Sequence, residues 1–228
     1  MAPRMAEVAQ RIVAWDEVTK GTRNYEIYDP YFADFTDRAV TLLELGVYRG
    51  ESTKVFATYF KNGKVIGVDV EDRNIDFSGY PNVAFERADQ RDVDRLKDIC
   101  ARHAPNGIDI VIDDAAHIGA WSLMSYRILL PFLNPGGLYV IEDWGTGYWD
   151  DWPDGQRLRA PARRLFRWRT KRRIPSHDSG MVGFVKSVFE DVSIDISPIR
   201  GAPKTRTPQL EFMHLYGNLA ILKKLSAR

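Results

Sequence analysis

Ile108-Asp-Ile-Val-Ile112-Asp113-Asp114-Ala-Ala-His117 is the stretch that decides the fold, and Leu138-Tyr-Val-Ile141-Glu142-Asp143-Trp144 is its counterpart downstream. Each is an apolar run that ends abruptly in carboxylates. Ile108–Ile112 is nearly all apolar, as expected of a parallel strand covered on both faces. Leu138–Ile141 reads as the next strand, and Trp121–Phe132 between them reads as a helix stopped near Asn134-Pro135-Gly136-Gly137. Parallel strands share a direction, so the two acidic ends project from one sheet edge.

The same rhythm extends upstream. Val40–Leu45, Val65–Val70 and Val83–Phe85 read as strands. Val55, Phe56 and Tyr59 give one intervening segment a helical apolar face, and Val93, Leu96, Ile99 and Cys100 mark another. Met5, Val8, Ile12 and Trp15 suggest an opening helix, followed by a loop carrying Gly21, Thr22, Tyr25, Tyr28 and Tyr31. Downstream, a helix is expected over Met181–Asp191, and Val192–Ser197 could add a strand. The terminal FMHLY-GN-LAILKK reads as two strands joined by a two-residue Gly-Asn turn. The expectation is a doubly wound, Rossmann-like α/β fold: a mostly parallel, seven-stranded sheet closed by an antiparallel C-terminal hairpin, as in class I methyltransferases. One domain is expected over 1–228, with an N-terminal segment at 1–39 and a lid or insertion at 150–178.

The turn after the first strand reads Glu44-Leu-Gly46-Val-Tyr48-Arg-Gly50-Glu-Ser52. Small residues here let the backbone approach a ligand, and the following helix offers free N–H groups. A plain structural turn is the alternative. G-x-G-x-x-G is absent, and Glu44 would repel a diphosphate. Glu44 suits instead the cationic sulfonium and amino group of S-adenosylmethionine. Asp69 ends the second strand, where a carboxylate can hold ribose hydroxyls, and Asp89-Gln90 follows the third, placed for the adenine amino group. With Asp113, these complete the expected cofactor set of Glu44, Gly46, Tyr48, Gly50, Ser52, Asp69, Asp89 and Gln90.

Carboxylates converging on one edge repel unless a cation neutralises them. An all-oxygen donor set with one nearby imidazole favours Mg²⁺ or another divalent cation over zinc, and the expected ligands are Asp114, Glu142 and Asp143. The competing reading makes Asp113 or Asp114 a helix cap and Glu142 a polar strand end. His117, three residues beyond Asp114, is the expected base for a hydroxyl acidified by a metal.

Charge and cysteine content remove other classes. The 32 basic and 31 acidic side chains nearly cancel, which argues against a nucleic-acid partner. The one cysteine, Cys100, excludes an internal disulfide framework and fits a reducing, cytoplasmic setting. No apolar window is long enough to span a bilayer. The stretch Arg157 to Arg173 is rich in Arg, lacks acidic residues and reads as a lid over the acceptor or a subunit contact.

These residues resemble the metal-dependent sugar and macrolide O-methyltransferases of natural-product and glycolipid biosynthesis. The resemblance is carried by LLELGVYRGES, GVDVEDR, DIVIDDAAHIGAWSLMSYRILLPFLNPGGLYVIEDWGTGYW and HLYGNLAILKK. It implies S-adenosylmethionine and Mg²⁺ as cofactors, Asp114, Glu142 and Asp143 as metal ligands, His117 as base, and a homodimer. The N-terminal GTRNYEIYDPYF also looks like that family's loop, although its usual acidic and histidine residues are not clearly retained. The small size and basic insert are more similar to the short methyltransferases of mycobacterial methylmannose polysaccharide synthesis, which act on a partly methylated mannoside. A sugar or glycoside acceptor is therefore expected, with a macrolide or other natural-product hydroxyl as the alternative. Tyr25, Tyr31, Trp144, Tyr148 and Trp149 are expected to line its pocket, aromatic faces suiting the apolar CH surfaces of sugar rings, or else to be ordinary core. A metal-dependent hydrolase, a nicotinamide-dependent reductase and a non-catalytic binding module are the readings from other classes.

Overall fold

A computed structural model describes residues 4–12, 22–149, 151–156, 178–192 and 208–227. Seven strands form one sheet in the order β3-β2-β1-β4-β5-β7-β6. They are β1 (Thr41–Leu45), β2 (Lys64–Asp69), β3 (Val83–Arg87), β4 (Ile108–Asp113), β5 (Leu133–Glu142), β6 (Leu210–Leu215) and β7 (Leu219–Lys224). The first five pair in parallel, and β7 enters antiparallel between β5 and β6. The expected fold class is the one observed. Tyr216 N donates to Leu219 O across Gly217-Asn218, which closes the terminal hairpin through the two-residue turn. Among the described residues no helix is long and apolar enough to cross a membrane.

Helices cover both faces. Against one face lie α1 (Met5–Ile12), α2 (Thr22–Phe32) and α3 (Glu51–Tyr59). Against the other lie α4 (Val93–His103), α5 (Gly119–Leu129) and, after the one-turn α6 (Pro153–Gln156), α7 (Gly180–Val192). Side chains alternate across each strand and feed two cores. Leu42, Val65, Ile110, Ile112 and Val140 meet Val55, Phe56, Tyr28 and Phe32. Leu43, Leu45, Val111, Tyr139 and Ile141 meet Leu96, Ile99, Leu129 and Phe184. By the same alternation Glu44 and Glu142 turn toward the α2–α3 layer, whereas Asp113 turns toward α5.

Two local expectations need correction. The tyrosine-rich segment expected as a loop is α2, despite Pro30 inside it. Tyr25, Tyr28 and Phe32 recur at helical spacing, and their burial against α3 and the sheet outweighs the weak helix propensity of Asn, Tyr and Asp. The helix expected over Trp121–Phe132 begins at Gly119, and its last turn tightens into a 3₁₀ turn, Leu130–Phe132. Strand β5 begins immediately after it at Leu133, so Pro135-Gly136-Gly137 lies within the strand's bounds, where the register against β4 shifts. Trp15, Val192–Ser197 beyond Val192, and the basic stretch Arg157 to Arg173 fall outside the described residues.

Candidate active site

The sheet order reverses between β1 and β4, and a crevice opens outside the carboxyl ends of such strands. A cleft of about 570 Å³ lies there, within the usual range for a small-molecule site. One wall carries the turn Gly46–Arg49, Asp69 and Asp89. The other carries Asp114, His117, Glu142, Asp143 and Trp152.

On the first wall the turn is a rigid assembly. Asp69 Oδ2 accepts the backbone N–H of Val47 and of Tyr48, both at 2.9 Å, and Oδ1 accepts Glu71 N at 2.9 Å. Gly46 and Gly50 hold φ of +90° and +78°, a region that disfavours side chains. The reason for Gly46 is local: a Cβ there would meet the Asp114 carbonyl oxygen at 2.1 Å. The turn after β1 therefore packs backbone against the loop that carries Asp114.

Glu44 is not at the cleft surface. It is fully buried, with Ser52 Oγ on one oxygen at 2.5 Å and Thr53 Oγ1 on the other at 2.6 Å. The strand's alternation points it at the start of α3, which it ties to β1. Ser52, one of its two donors, reaches the cleft lining.

Asp89 lines the cleft in a bidentate pair with Arg91, whose guanidinium carbon lies 4.3 Å from the Trp121 ring centroid. The Arg91 hydrogen bonds hold the Asp89 carboxyl below the usual carboxylate range. Gln90 is buried and ties the loop after β3 to α5 and the turn before it, accepting Ala116 N and donating to Ser125 Oγ. Asp113 is absent from the cleft lining. It is 2% exposed beneath α5, with Tyr139 Oη at 3.5 Å, and burial pushes its carboxyl up to about 7. It is Asp114 that faces the cleft instead.

On the second wall Asp114, His117 and Asp143 each offer a ligand atom within 4.8 Å of the others. His117 Nε2 lies 3.7 Å from Asp114 Oδ1 and 3.8 Å from Asp143 Oδ2. Glu142 lines the same cleft but stands outside that trio. Its oxygens accept Tyr28 Oη at 2.5 Å and Asn24 Nδ2 at 3.0 Å, and a carboxylate oxygen has two lone pairs to share. Two aspartates and an imidazole so close, beside a buried glutamate, suit a divalent cation.

Tyr48, His117 and Asp143 are non-glycine residues with positive φ, at 50°, 50° and 48°. Such strain persists only where the surroundings enforce it. Here the His117 carbonyl accepts Trp152 Nε1 at 3.0 Å and Thr146 Oγ1 at 3.4 Å, and Thr146 also donates to the Asp143 carbonyl at 2.9 Å. Buried Asp154, two residues past Trp152, clamps the base of this wall. Its Oδ2 accepts Gly119 N at 2.7 Å and Met181 N at 2.8 Å, at the starts of α5 and α7.

None of the five aromatic residues expected around the acceptor lines the cleft. Tyr25 is core, Tyr31 bonds His214 and Tyr216, Trp144 donates to Tyr216 O, Tyr148 packs edge-on to Trp144, and Trp149 is half exposed. Trp121, Trp152, Asn24 and Asn218 line it instead. Sequence reading missed these four because Asn24 lay in a supposed loop, Asn218 served as a turn residue, and nothing local separates Trp121 and Trp152 from core tryptophans.

Comparison with known proteins fits this geometry. A family described as "Methyltransferase domain" matches residues 43–144. The 8-demethyl-8-alpha-L-rhamnosyl tetracenomycin-C 2'-O-methyltransferase of Streptomyces olivaceus is 43% identical over 54% of this chain and 33% of its own length. A 3'-O-methyltransferase for the 2-methoxy-rhamnosyl tetracenomycin from the same organism is 30% identical over 87% of this chain and 48% of its own. The chain thus spans between a third and a half of these curated relatives. The MycE methyltransferase of mycinamycin biosynthesis, solved with Mg, SAH and mycinamycin VI, superposes with a TM-score of 0.74 at 26% identity, covering 98% of this chain and 54% of its own. Residues 43–144 thus match a methyltransferase domain, and the sheet has the class I S-adenosylmethionine-dependent methyltransferase fold.

Proposed function

We propose that this chain transfers a methyl group from S-adenosylmethionine to a hydroxyl of a sugar or glycoside with the help of a divalent cation, Mg²⁺ foremost. The observation that carries the reading is the single cleft, which joins the Gly46 turn, Asp69 and Asp89 to the Asp114–His117–Asp143 cluster. The sugar-directed names of the relatives support the acceptor class, and the magnesium and SAH held by MycE support the cofactors.

In this reading the turn and Asp69 hold the ribose end of the cofactor, with Asp89, Arg91 and Trp121 around its base. Asp114, Asp143 and Glu142 hold the cation. Bound there, the cation supplies positive charge that lowers the pKa of the acceptor hydroxyl. His117 would accept the hydroxyl proton as the acceptor oxygen takes the methyl group, and bound S-adenosylmethionine would supply that methyl and depart as S-adenosylhomocysteine. Trp152, its indole N–H engaged by His117 O, offers a ring beside that proton acceptor for the sugar's apolar surface. The cleft's positioning of both reactants is the other main contribution.

The family resemblance supports finer points of the same reading. These are a short, partly methylated mannoside of polysaccharide synthesis as acceptor and a homodimer; the lone Cys100 supports a cytoplasmic setting. Macrolide glycosides are the second acceptor class, favoured by the relatives' names.

S-adenosylhomocysteine release tests the proposal, measured with short mannosides, rhamnosides and their partly methylated forms, in Mg²⁺ and in excess chelator. Product that requires the metal supports it. Turnover indifferent to chelator refutes the metal site, and no product with any glycoside refutes the acceptor class.

A further inference from the structure

Glu142 is gripped from behind by α2, far from it in sequence, and α2 is tied in turn to the C-terminal hairpin. Tyr28 and Asn24, one turn apart on α2, each donate to one of its oxygens. Asn24 Oδ1 in turn accepts Asn218 Nδ2 at 3.0 Å, from the turn of the β6–β7 hairpin. Trp144 Nε1 donates to Tyr216 O at 3.0 Å, so the chain just beyond Asp143 is tied to the same hairpin. Glu142 is 1% exposed and Asn24 is 6% exposed, so water cannot freely replace these partners.

A carboxamide has one accepting end and one donating end, and its neighbours decide which way it points. Asn218 offers an N–H to Asn24. That bond turns the Asn24 oxygen toward the hairpin and its NH₂ toward Glu142. Without it, Asn24 could present its oxygen to the carboxylate, and two acceptors would face each other across a buried contact. The arrangement is a series: Asn218 orients Asn24, and Asn24 orients Glu142. Tyr28 acts on the other oxygen in parallel.

We infer that Asn24, Tyr28 and Asn218 are positioning residues that hold Glu142 in the orientation in which it serves the cation, with Asn218 acting only through Asn24. This rests on Glu142 being a metal ligand, as proposed above. Partners that orient a ligand commonly change metal affinity by ~10–100-fold when removed. Helix α2 and the β6–β7 hairpin thereby support the metal centre as well as building the fold.

Mn²⁺ binding to the full chain, read by loss of the free-ion electron paramagnetic resonance signal, tests this well below the melting temperature. Asn24→Ala and Tyr28→Phe should each weaken Mn²⁺ by about tenfold or more. Asn218→Ala should weaken it no more than Asn24→Ala does, and the double variant should match Asn24→Ala alone, because the two act in series. S-adenosylhomocysteine affinity should stay unchanged in Tyr28→Phe, whose ring lies outside the cleft lining, which a general loss of structure would not allow. Asn218 lies on a part-exposed turn, so Asn218→Ala keeps the test usable if Asn24→Ala melts early. Wild-type Mn²⁺ affinity in the folded variants overturns the inference, and a double-variant loss equal to the product of the single losses overturns the series. Failure of the wild-type chain to bind Mn²⁺ refutes the metal reading itself.

Discussion

Gly46→Ala should damage the proposed metal centre although Gly46 contributes no ligand to it. At φ +90°, its new Cβ would stand 2.1 Å from the Asp114 carbonyl oxygen and 2.8 Å from Ala115 Cα. A Cβ contact needs at least 3.0 Å, so the closest pair must separate by about 0.9 Å. No rotamer relieves this, because both partners are backbone. Leu45 and Asp113 are held in register by the β1–β4 pairing, so the displacement falls on the turn and on Asp114–His117. An L-residue in the left-handed region costs ~1–2 kcal/mol. Overpacking adds ~1–3 kcal/mol. Together that is ~2–5 kcal/mol, which at ~2–4 °C per kcal/mol for a chain of this size lowers Tm by roughly 4–20 °C. A ligand displaced by ~1 Å costs about 100-fold in turnover. Thermal melting, Mn²⁺ binding and S-adenosylhomocysteine release measure the three effects. Gly50→Ala is the control, since its Cβ meets the side chains of Ile75 and Phe77, which can yield. A Gly46→Ala variant with wild-type melting and Mn²⁺ affinity would refute the argument that backbone packing, rather than ligand approach, demands this glycine.

His117→Ala should cut turnover by ~100-fold or more while Mn²⁺ and cofactor affinities hold. Loss of Mn²⁺ affinity would instead make His117 a ligand beside Asp114 and Asp143, in place of the proton acceptor. Glu86 has its carboxyl lowered to about 2 by the Arg102 hydrogen bond, with His103 assisting, against an ordinary value of 4.5. Its stabilising effect is therefore complete above pH 4.5 and fades as the pH falls toward 2, so Glu86→Gln should cost ~1–2 kcal/mol at pH 7 and progressively less below pH 4.5. A stability gap in denaturant melts that widens on acidification would contradict that sign.

The sheet was legible because short, nearly continuous apolar runs, turn residues and helical spacing agree along the central strands. Where burial decided instead, local signals failed. The α2 segment looks like a loop because Asn24, Tyr25 and Pro30 are poor helix formers, and only the core waiting for Tyr28 and Phe32 makes it helical. The acidic ends Asp113-Asp114 and Glu142-Asp143 were visible as a constellation, but which member faces the cleft follows from strand alternation and from what packs on each side. Asp114 and Asp143 come together with His117, Glu142 is held by α2, and Asp113 is buried beneath α5.

The sequence by itself determined the α/β order, the carboxylate-bearing strand ends and the glycine turn, since strand direction and side-chain period are local properties of the chain. Tertiary structure alone decided that Glu44 serves α3, that Trp152 and Thr146 fix the His117 backbone, and that Asn24 and Asn218 meet behind Glu142. The physical reason is that a hydrogen bond joining positions 24 and 218 leaves no trace in either neighbourhood. Its partners are brought together by burial of the sheet between its two helix layers.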